Sequence, residues 1–165
     1  MIFATVGSQM PFDRMIEALD NWLKGQGGTA EVVAQIGRTD YKPRHLEYVA
    51  SLSPDAFREA VRRAEVIVAH AGMGSVLTAM EFGKPLVVLP RLGALQETRN
   101  DHQVATANWL STKPGVFVAM NEAELGSTID RARSQSLRTT EISPFASPKL
   151  ITALRTFILD SSVSR

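Results

Sequence analysis

The stretch from Ala64 to Pro90, AEVIVAHAGMGSVLTAMEFGKPLVVLP, constrains the fold more than any other part of the chain. Val66 to Ala69 is a short, continuous apolar run rich in β-branched residues, which is typical of a parallel strand covered on both faces. Gly72 and Gly74 favour a tight turn, and a Gly-Lys-Pro sequence separates the following helical segment from a second apolar run, Leu86 to Leu89. These residues therefore predict a buried strand, a glycine turn, a helix and a second buried strand.

The turn after the first of these strands has the composition of an anion site. His70 ends the strand, Gly72 and Gly74 let the backbone approach a ligand, and Ser75 places a hydroxyl near the start of the helix. The N–H groups and positive dipole end of the helix, together with the imidazole, would hold a phosphate or a diphosphate. Simpler interpretations stay open, since the glycines would also suit a turn without a ligand, His70 a hydrogen-bonded strand end, and Ser75 a helix cap.

Strands and helices alternate along the rest of the chain, which predicts an α/β fold: a single Rossmann-like domain over residues 1–165 with a mainly parallel sheet. The further predicted strands are Ile2 to Val6, Ala30 to Ile36, Leu46 to Ala50 and Val116 to Ala119. The further predicted helices are Phe12 to Lys24, a helix capped by Ser53 that runs to Arg63, Asp101 to Leu110, Glu122 to Arg133 and Phe145 to Leu159. We expect loops at 25–28, 38–44 and 91–99, and a mobile segment at 135–144.

Ligands of such sheets bind at the carboxyl ends of the strands, so the residues that follow the strands should converge on one rim. Gly7 and Ser8 follow the first predicted strand, Leu52 and Ser53 follow the third, and His70 ends the fourth. A G-x-G-x-x-G sequence after the first strand is missing, which argues against a Rossmann dehydrogenase.

Composition narrows the classes of partner. The chain has 18 basic and 17 acidic residues and a net charge of +1, so we expect no general attraction to nucleic acid or anionic lipid. The absence of cysteine excludes disulfides and thiolate metal sites and is consistent with a reducing cytoplasm. No run approaches the roughly 20 apolar residues of a spanning helix, and the apolar start, Met1 to Val6, is too short for a signal peptide.

Two motifs carry a family resemblance: His70-Ala71-Gly72-Met73-Gly74-Ser75 with a following Gly-Lys-Pro, and Asn100-Asp101-His102-Gln103. They resemble the donor-binding half of inverting nucleotide-sugar glycosyltransferases of the GT-B type, which have two Rossmann-like halves, and are most similar to the glycosyltransferase family 28 C-terminal domain. Over about its full length the chain resembles the small subunit of two-component transferases. That group includes the subunit that adds the second N-acetylglucosamine to the dolichol-linked oligosaccharide, and bacterial counterparts in exopolysaccharide and capsule synthesis.

The resemblance implies that the chain binds a UDP-sugar. It assigns the donor diphosphate to the glycine turn with His70 and Ser75, the uracil to backbone groups near Leu52 and Ser53, and the sugar to His102 and Gln103. The donor-site candidates are Gly7, Ser8, Leu52, Ser53, His70, Gly72, Met73, Gly74, Ser75, Thr78, Glu81, Asn100, Asp101, His102 and Gln103. The last four would equally suit an ordinary polar helix start, with Asn100 or Asp101 as the cap.

One position departs from the family pattern. In many relatives an acidic residue eight positions after the equivalent of His70 binds the ribose hydroxyls, and here that position is Thr78. Glu81 lies three residues later on nearly the same helical face, so it is a candidate for the ribose contact, although a solvated surface glutamate would explain it equally well.

Catalysis at such a site would be displacement at the anomeric carbon with the nucleotide diphosphate as the leaving group. Helix N–H groups, His70 and Ser75 would stabilise its growing negative charge. The chain has no Asp-X-Asp sequence, so we expect neither a metal nor another cofactor. An acceptor hydroxyl also needs a general base, which in two-domain relatives lies in the N-terminal half. Asp13, His45 and His102 are the local alternatives.

We therefore expect a heterodimer with a membrane-anchored, acceptor-binding subunit, which recruits the chain to the inner face of the membrane and presents a lipid-linked acceptor in cell-surface polysaccharide synthesis. Exposed apolar residues, including Met10-Pro11-Phe12, would form the docking surface or else be core residues, and the isolated chain would pair with itself through the same patch. The alternatives are a noncatalytic nucleotide-sugar-binding or regulatory subunit that activates a partner, and a relative of nucleotide-sugar 2-epimerases. Glucuronic acid, galactose and N-acetylglucosamine are all represented as sugars among similar proteins.

Overall fold

The computed structural model describes residues 1–8, 10–27, 30–135, 139, 142–143 and 145–162, without the side chains of 160–162. Its strands are β1 (Ile2–Thr5), β2 (Val32–Gln35), β3 (Glu47–Val49), β4 (Val66–His70), β5 (Leu86–Leu89) and β6 (Val116–Val118). Its helices are α1 (Asp13–Gly25), α2 (Pro54–Arg63), α3 (Met73–Glu81), α4 (His102–Leu110), α5 (Glu122–Gln135) and α6 (Pro148–Ser162), with a short 3₁₀ turn at Gly93–Leu95. The order of elements follows the prediction, and their ends coincide with it or differ by at most three residues. Most of the predicted mobile segment at 135–144 lies outside the described residues.

The strands form one sheet in the order β3-β2-β1-β4-β5-β6, and all neighbouring strands are parallel. The chain runs from β1 outward to one edge, returns to the middle at β4 and then runs to the other edge. β1 and β4 pair with Ile2 beside Val66 and Thr5 beside Ala69. Ligands of open α/β sheets bind outside the carboxyl ends of strands at such a reversal, so the topology points to the loops after β1 and β4.

Helices cover both faces of the sheet, which explains the continuous apolar runs of its strands. Side chains alternate along β1, so Ile2 and Ala4 pack with α1 and α5 on one face, while Phe3 packs with α2, α3 and α4 on the other. The start of α2 is the predicted cap, because the Ser53 side chain accepts a hydrogen bond from the Ala56 N–H and Pro54 occupies the first helical position.

The polar segment at 38–44 is tied to α1 through the carboxylate of Asp20, which is 3% exposed. This carboxylate accepts hydrogen bonds from the N–H groups of Arg44 at 3.0 Å and His45 at 2.8 Å and from the Tyr41 hydroxyl at 3.1 Å. Burial alone would raise the pKa of Asp20, but these hydrogen bonds outweigh it and lower the pKa. The loop is therefore anchored by a buried anion.

The apolar residues proposed for docking divide between core and surface. Phe12 is 1% exposed and belongs to the core, so the docking prediction is wrong for it, whereas Met10 is 39% exposed. Helix α6 leaves large apolar side chains exposed, among them Leu150, Leu154 and Phe157. None of the helices in the described ranges has the length and apolar character to cross a membrane.

Candidate ligand-binding cleft

A cleft of about 580 Å³ opens at the carboxyl edge of the sheet, above β1 and β4. Its lining contains most of the residues that the sequence predicts for the donor site, namely Gly7, Ser8, His70, Gly72, Met73, Gly74, Ser75, Thr78, His102 and Gln103. The lining residues that were not predicted are Thr5, Val6, Met10, Gln35, Phe57, Arg91, Glu97 and Thr98. The predicted residues Leu52, Ser53, Glu81, Asn100 and Asp101 lie outside the lining. The structure thus brings the two sequence motifs to one cleft, and a role in ligand binding stays a prediction.

The imidazole of His70 lies between two glycines at the centre of the cleft. A Cβ on Gly7 would lie 2.6 Å from His70 Cε1, and a Cβ on Gly72 would lie 2.7 Å from His70 Cδ2 and closer still to Nε2. Any larger residue at either position would have to displace the ring. Gly7 also has a φ of +80°, which other residues rarely adopt. The glycines are thus required by the protein's own histidine, before any ligand is considered.

His70 is electrically neutral at physiological pH. Burial, together with the nearby charge of Arg91, lowers its pKa to about 4. Its Nδ1 atom is buried and has no hydrogen-bond partner among the described residues. Unpartnered buried polar atoms are rare in proteins, and His70 lines the cleft, so its ring is a candidate ligand contact. His70 can therefore offer a hydrogen bond to a phosphate oxygen but does not supply a positive charge.

The start of α3 provides backbone donors beside this histidine. Gly72 is the residue before the first turn and provides no side-chain cap, so the N–H groups of Met73, Gly74 and Ser75 lack intrahelical acceptors. The Ser75 hydroxyl has no protein partner among the described residues, and the space around the position of a Gly74 Cβ is open to 4 Å. The helix start is therefore free to bind an anion, as the glycine motif predicts.

Arg91 makes more hydrogen bonds than the other side chains that line the cleft, and it lies outside both sequence motifs. It follows β5 and is 4% exposed. Its Nη1 donates to the carbonyls of Pro11 at 2.5 Å and Glu97 at 3.1 Å, and its Nη2 donates to those of Val6 at 2.8 Å and Met10 at 2.7 Å. One guanidinium thus joins the loop after β1 to the loop after β5.

A second arginine neutralises the nearest carboxylate. Arg14 makes a two-point contact with Glu97, with both N···O distances 2.8 Å, and Glu97 also accepts the Leu92 N–H at 2.9 Å. The ring of Phe12 lies against both arginines, 5.3 Å from Arg14 and 4.6 Å from Arg91, which accounts for its burial. Glu97 is therefore fully engaged and is a poor candidate for a general base.

The Asn100 to Gln103 motif divides into two structural and two cleft residues. The Asn100 side-chain oxygen accepts the His102 N–H at 3.2 Å and also contacts His102 Nδ1, while Asp101 accepts the Gly93 N–H at 2.7 Å. In a neutral imidazole, this contact favours the tautomer of His102 with the proton on Nδ1, because an amide oxygen only accepts. The side-chain oxygen of Gln103 accepts a hydrogen bond from the main-chain N–H of Arg91 at 3.1 Å, which leaves the NH₂ group of Gln103 as a donor.

The predicted nucleoside end of the cleft is less complete. Phe57 lines it from α2, whereas Ser53 uses its side chain as the helix cap. Thr78 lines the cleft and donates its hydroxyl to the Gly74 carbonyl at 2.9 Å. Glu81 instead pairs with Arg58 at 2.7 Å, and this arginine lowers the pKa of Glu81. The ion pair accounts for Glu81 without a ribose, so the structure favours the surface interpretation of this residue.

Of the local general-base candidates, His102 is the one that lines the cleft. Asp13 lies outside the lining and accepts a hydrogen bond from the Thr39 hydroxyl at 2.5 Å. His45 is exposed, and its backbone binds Asp20. In the described ranges no cluster of three or more His, Asp or Glu side chains could hold a metal ion.

Comparison with known proteins assigns the chain to a group. The glycosyltransferase family 28 C-terminal domain matches residues 1–145. The UDP-N-acetylglucosamine transferase subunit ALG13 of Homo sapiens is 32% identical over 126 residues, which are 70% of this chain and 11% of that protein. The subunit of the same name from Yarrowia lipolytica is 27% identical over 137 residues, which are 76% of this chain and 68% of that protein. The chain therefore spans about a tenth of the human relative and about two thirds of the Yarrowia one.

Solved structures share the fold. The NMR structure of ALG13 has a TM-score of 0.59 and 15% identity and matches 93% of both chains. The calicheamicin glycosyltransferase CalG4 has a TM-score of 0.55 and 17% identity over 81% of this chain and 33% of that one. The predicted fold class is thus confirmed: an α/β domain similar to the C-terminal half of GT-B glycosyltransferases.

Proposed function

Since this chain belongs to the glycosyltransferase family 28 C-terminal domain family, we propose that it is the donor-binding subunit of a two-component, inverting glycosyltransferase that uses a UDP-sugar. The observation that carries the proposal is the cleft between β1 and β4. There, the N–H groups that start α3, the imidazole of His70 and the open space at Gly74 lie together. A diphosphate has the charge and the acceptor oxygens that such a site binds.

The chemistry follows from where charge develops. The acceptor hydroxyl oxygen forms a bond to the anomeric carbon of the sugar while the bond from that carbon to the diphosphate oxygen breaks. The hydroxyl proton passes to a general base, and the bonding electrons leave with UDP. Donors held in place at the diphosphate stabilise the transition state more than the substrate, so the N–H groups of α3, the Ser75 hydroxyl and His70 would act on the leaving group. We expect no metal ion to be needed, and EDTA should leave transfer unchanged.

The names of the relatives support N-acetylglucosamine as the first sugar to test, with glucuronic acid and galactose as alternatives. They also support a partner subunit that holds the acceptor. We propose that this partner is anchored in the membrane, recruits the chain to the inner face and supplies both the lipid-linked acceptor and the general base. The product would then enter cell-surface polysaccharide synthesis. Self-association of the isolated chain also remains a proposal, which size-exclusion chromatography with light scattering would check.

Donor binding is tested by calorimetry with UDP. Loss of the Ser75 hydroxyl in Ser75→Ala should weaken UDP by on the order of 1.5 to 3 kcal/mol, the value of a hydrogen bond to a charged group. Gly74→Val should abolish binding, because its side chain would fill the open space where a phosphate would lie. Wild-type affinity in both variants would contradict the proposed site.

The proposal that two subunits are needed is tested by combining the purified chain with its candidate partner. Transfer of radiolabelled sugar to a lipid acceptor should be absent with the chain alone or the partner alone and present with the mixture. Full transfer by the chain alone would refute the two-component proposal. Full transfer by the partner alone would instead support the second candidate, a noncatalytic subunit that binds nucleotide-sugar and activates its partner.

A further inference from the structure

Positive charge in the cleft comes from an unexpected place. Along the lining formed by described residues, Arg91 is the one permanent cation and Glu97 the one carboxylate. Glu97 is already paired with Arg14, and His70 is neutral. An anion that enters the cleft would therefore meet the field of a single guanidinium that has no carboxylate bound to it.

Keeping this charge buried is costly. Arg91 is 4% exposed, and its four terminal N–H bonds all go to carbonyl oxygens, which satisfy its hydrogen atoms without cancelling its charge. Burial lowers the pKa of Arg91, and the charge of Glu97 offsets part of this penalty, yet a guanidinium stays protonated at any physiological pH. A buried cation beside a cleft, with no carboxylate in direct contact, is suited to a ligand that brings negative charge.

We propose that Arg91 supplies the positive charge that attracts the diphosphate to the cleft. It is a positioning residue, because its own hydrogen bonds join the loops after β1 and β5. This inference deepens the proposed function and rests on it. Because the terminal N–H groups of Arg91 are already engaged, its effect on the ligand is a field and not a set of direct hydrogen bonds.

The position of His70 supports a field that reaches the ligand. The charge of Arg91 contributes, after burial, to the low pKa of this imidazole, so the guanidinium acts electrostatically on a group at the centre of the cleft. The main-chain N–H of Arg91 also holds the side chain of Gln103, which lines the same cleft. The residue thus touches both predicted parts of the donor site, diphosphate and sugar, through other groups.

The competing explanation is that Arg91 only holds the loops together, and ligands of different charge distinguish the two explanations. In that case, replacing Arg91 should weaken the binding of uridine, UMP and UDP by the same factor. If its charge matters, the loss of affinity should grow along that series, by roughly threefold for each added ligand charge.

The experiment uses NMR titration of the full chain, which also measures weak uridine binding. In Arg91→Met we expect uridine to lose about as much affinity as in Arg91→Lys, because both variants lose the carbonyl contacts, and UDP to lose roughly 30-fold more than uridine, with UMP between them. Arg91→Lys keeps the charge but cannot join four carbonyls, so it should weaken all three ligands by a similar factor. Arg131→Met removes an arginine that stacks on Phe117 outside the cleft and should leave all three affinities unchanged.

Equal losses for uridine and UDP in Arg91→Met would overturn the inference. If that variant does not fold, Arg91→Gln, which keeps donor groups without the charge, carries the same comparison. A wild-type chain that fails to bind UDP would refute the proposed function itself, so the two failures are distinguishable.

Discussion

Gly72 and Gly74 form a matched pair within one motif, and alanine substitutions should affect the protein in opposite ways. A Cβ on Gly72 would lie 2.7 Å from His70 Cδ2, whereas a Cβ on Gly74 would meet nothing within 4 Å. Gly72→Ala must therefore displace the imidazole. Gly74→Ala adds a methyl group to open space at the second residue of α3.

The magnitudes follow from these geometries. Overpacking typically costs about 1 to 3 kcal/mol, and alanine is also a poorer residue than glycine before a helix. Gly72→Ala should thus lower the free energy of unfolding by about 1 to 3 kcal/mol. Gly74→Ala should raise it by up to about 1 kcal/mol, because alanine favours the helix. For a chain of this size each kcal/mol shifts Tm by roughly 2 to 4 °C.

Thermal unfolding by circular dichroism measures both shifts, and calorimetry measures UDP binding. Gly72→Ser introduces a good capping side chain but has the same Cβ as alanine, so it should be destabilised as well if the imidazole is the cause. In a His70→Ala background the cost of Gly72→Ala should largely disappear. An unchanged Tm for Gly72→Ala, or full UDP affinity for Gly74→Ala despite its added methyl, would refute the reasoning.

Three further predictions follow from the site and its surroundings. Because the pKa of His70 is about 4 in the folded protein and 6.5 in the unfolded chain, stability should be complete above pH 6.5 and fall by about 3 kcal/mol as the pH drops through 4; urea titrations should show that His70→Gln lacks this loss. Asp20→Asn should lower the free energy of unfolding by about 1.5 to 3 kcal/mol at pH 7. Because the pKa of Asp20 is lowered in the folded protein, the stability that this carboxylate contributes should be lost only below about pH 4. Equal free energies of unfolding for the two proteins at pH 7 would contradict this. Gln103→Ala removes the side-chain amide without adding a charge to the cleft, so calorimetry should show weaker binding of UDP-sugar with nearly unchanged UDP; equal losses would refute a sugar contact.

The sheet and the glycine turn were predictable because their signals are local. The runs Val66 to Ala69 and Leu86 to Leu89 become buried parallel strands as their composition indicates, and Gly83, with a φ of +58°, ends α3 as predicted. The convergence of Gly7 and His70 followed from parallel topology alone, since both lie at carboxyl ends of strands. A sequence can therefore predict those features that depend on local composition and on the order of strands in the sheet.

Arg91 was not predictable in the same way. It stands in a polar loop after Pro90, where a solvated arginine is the ordinary expectation. Its partners are carbonyls of Val6, Met10 and Pro11, 80 to 85 residues earlier, and every residue type has a carbonyl. Backbone acceptors leave no trace in sequence, so a long polar residue just after a buried strand is the sole available hint.

The Asn100 to Gln103 motif shows a different limit. Four consecutive polar residues suggested a common role, but Asn100 and Asp101 precede α4, whereas His102 and Gln103 are its first two residues. Only His102 and Gln103 line the cleft, while Asn100 and Asp101 hold the backbone around them. Glu81 is similar, because its ion pair with Arg58 depends on how α2 and α3 pack.

The seam between β1 and β4 joins the two halves of the sheet, and the cleft lies across its carboxyl end. Gly7 comes from one half and His70 from the other, so neither half of the chain can form the cleft alone. A nucleotide bound there would bind only the folded chain and would therefore stabilise it. At a hundred times its Kd it would raise the free energy of unfolding by about 2.7 kcal/mol and reduce the unfolded fraction open to proteases about a hundredfold. The abundance of the chain in the cell should then follow the supply of its nucleotide sugar.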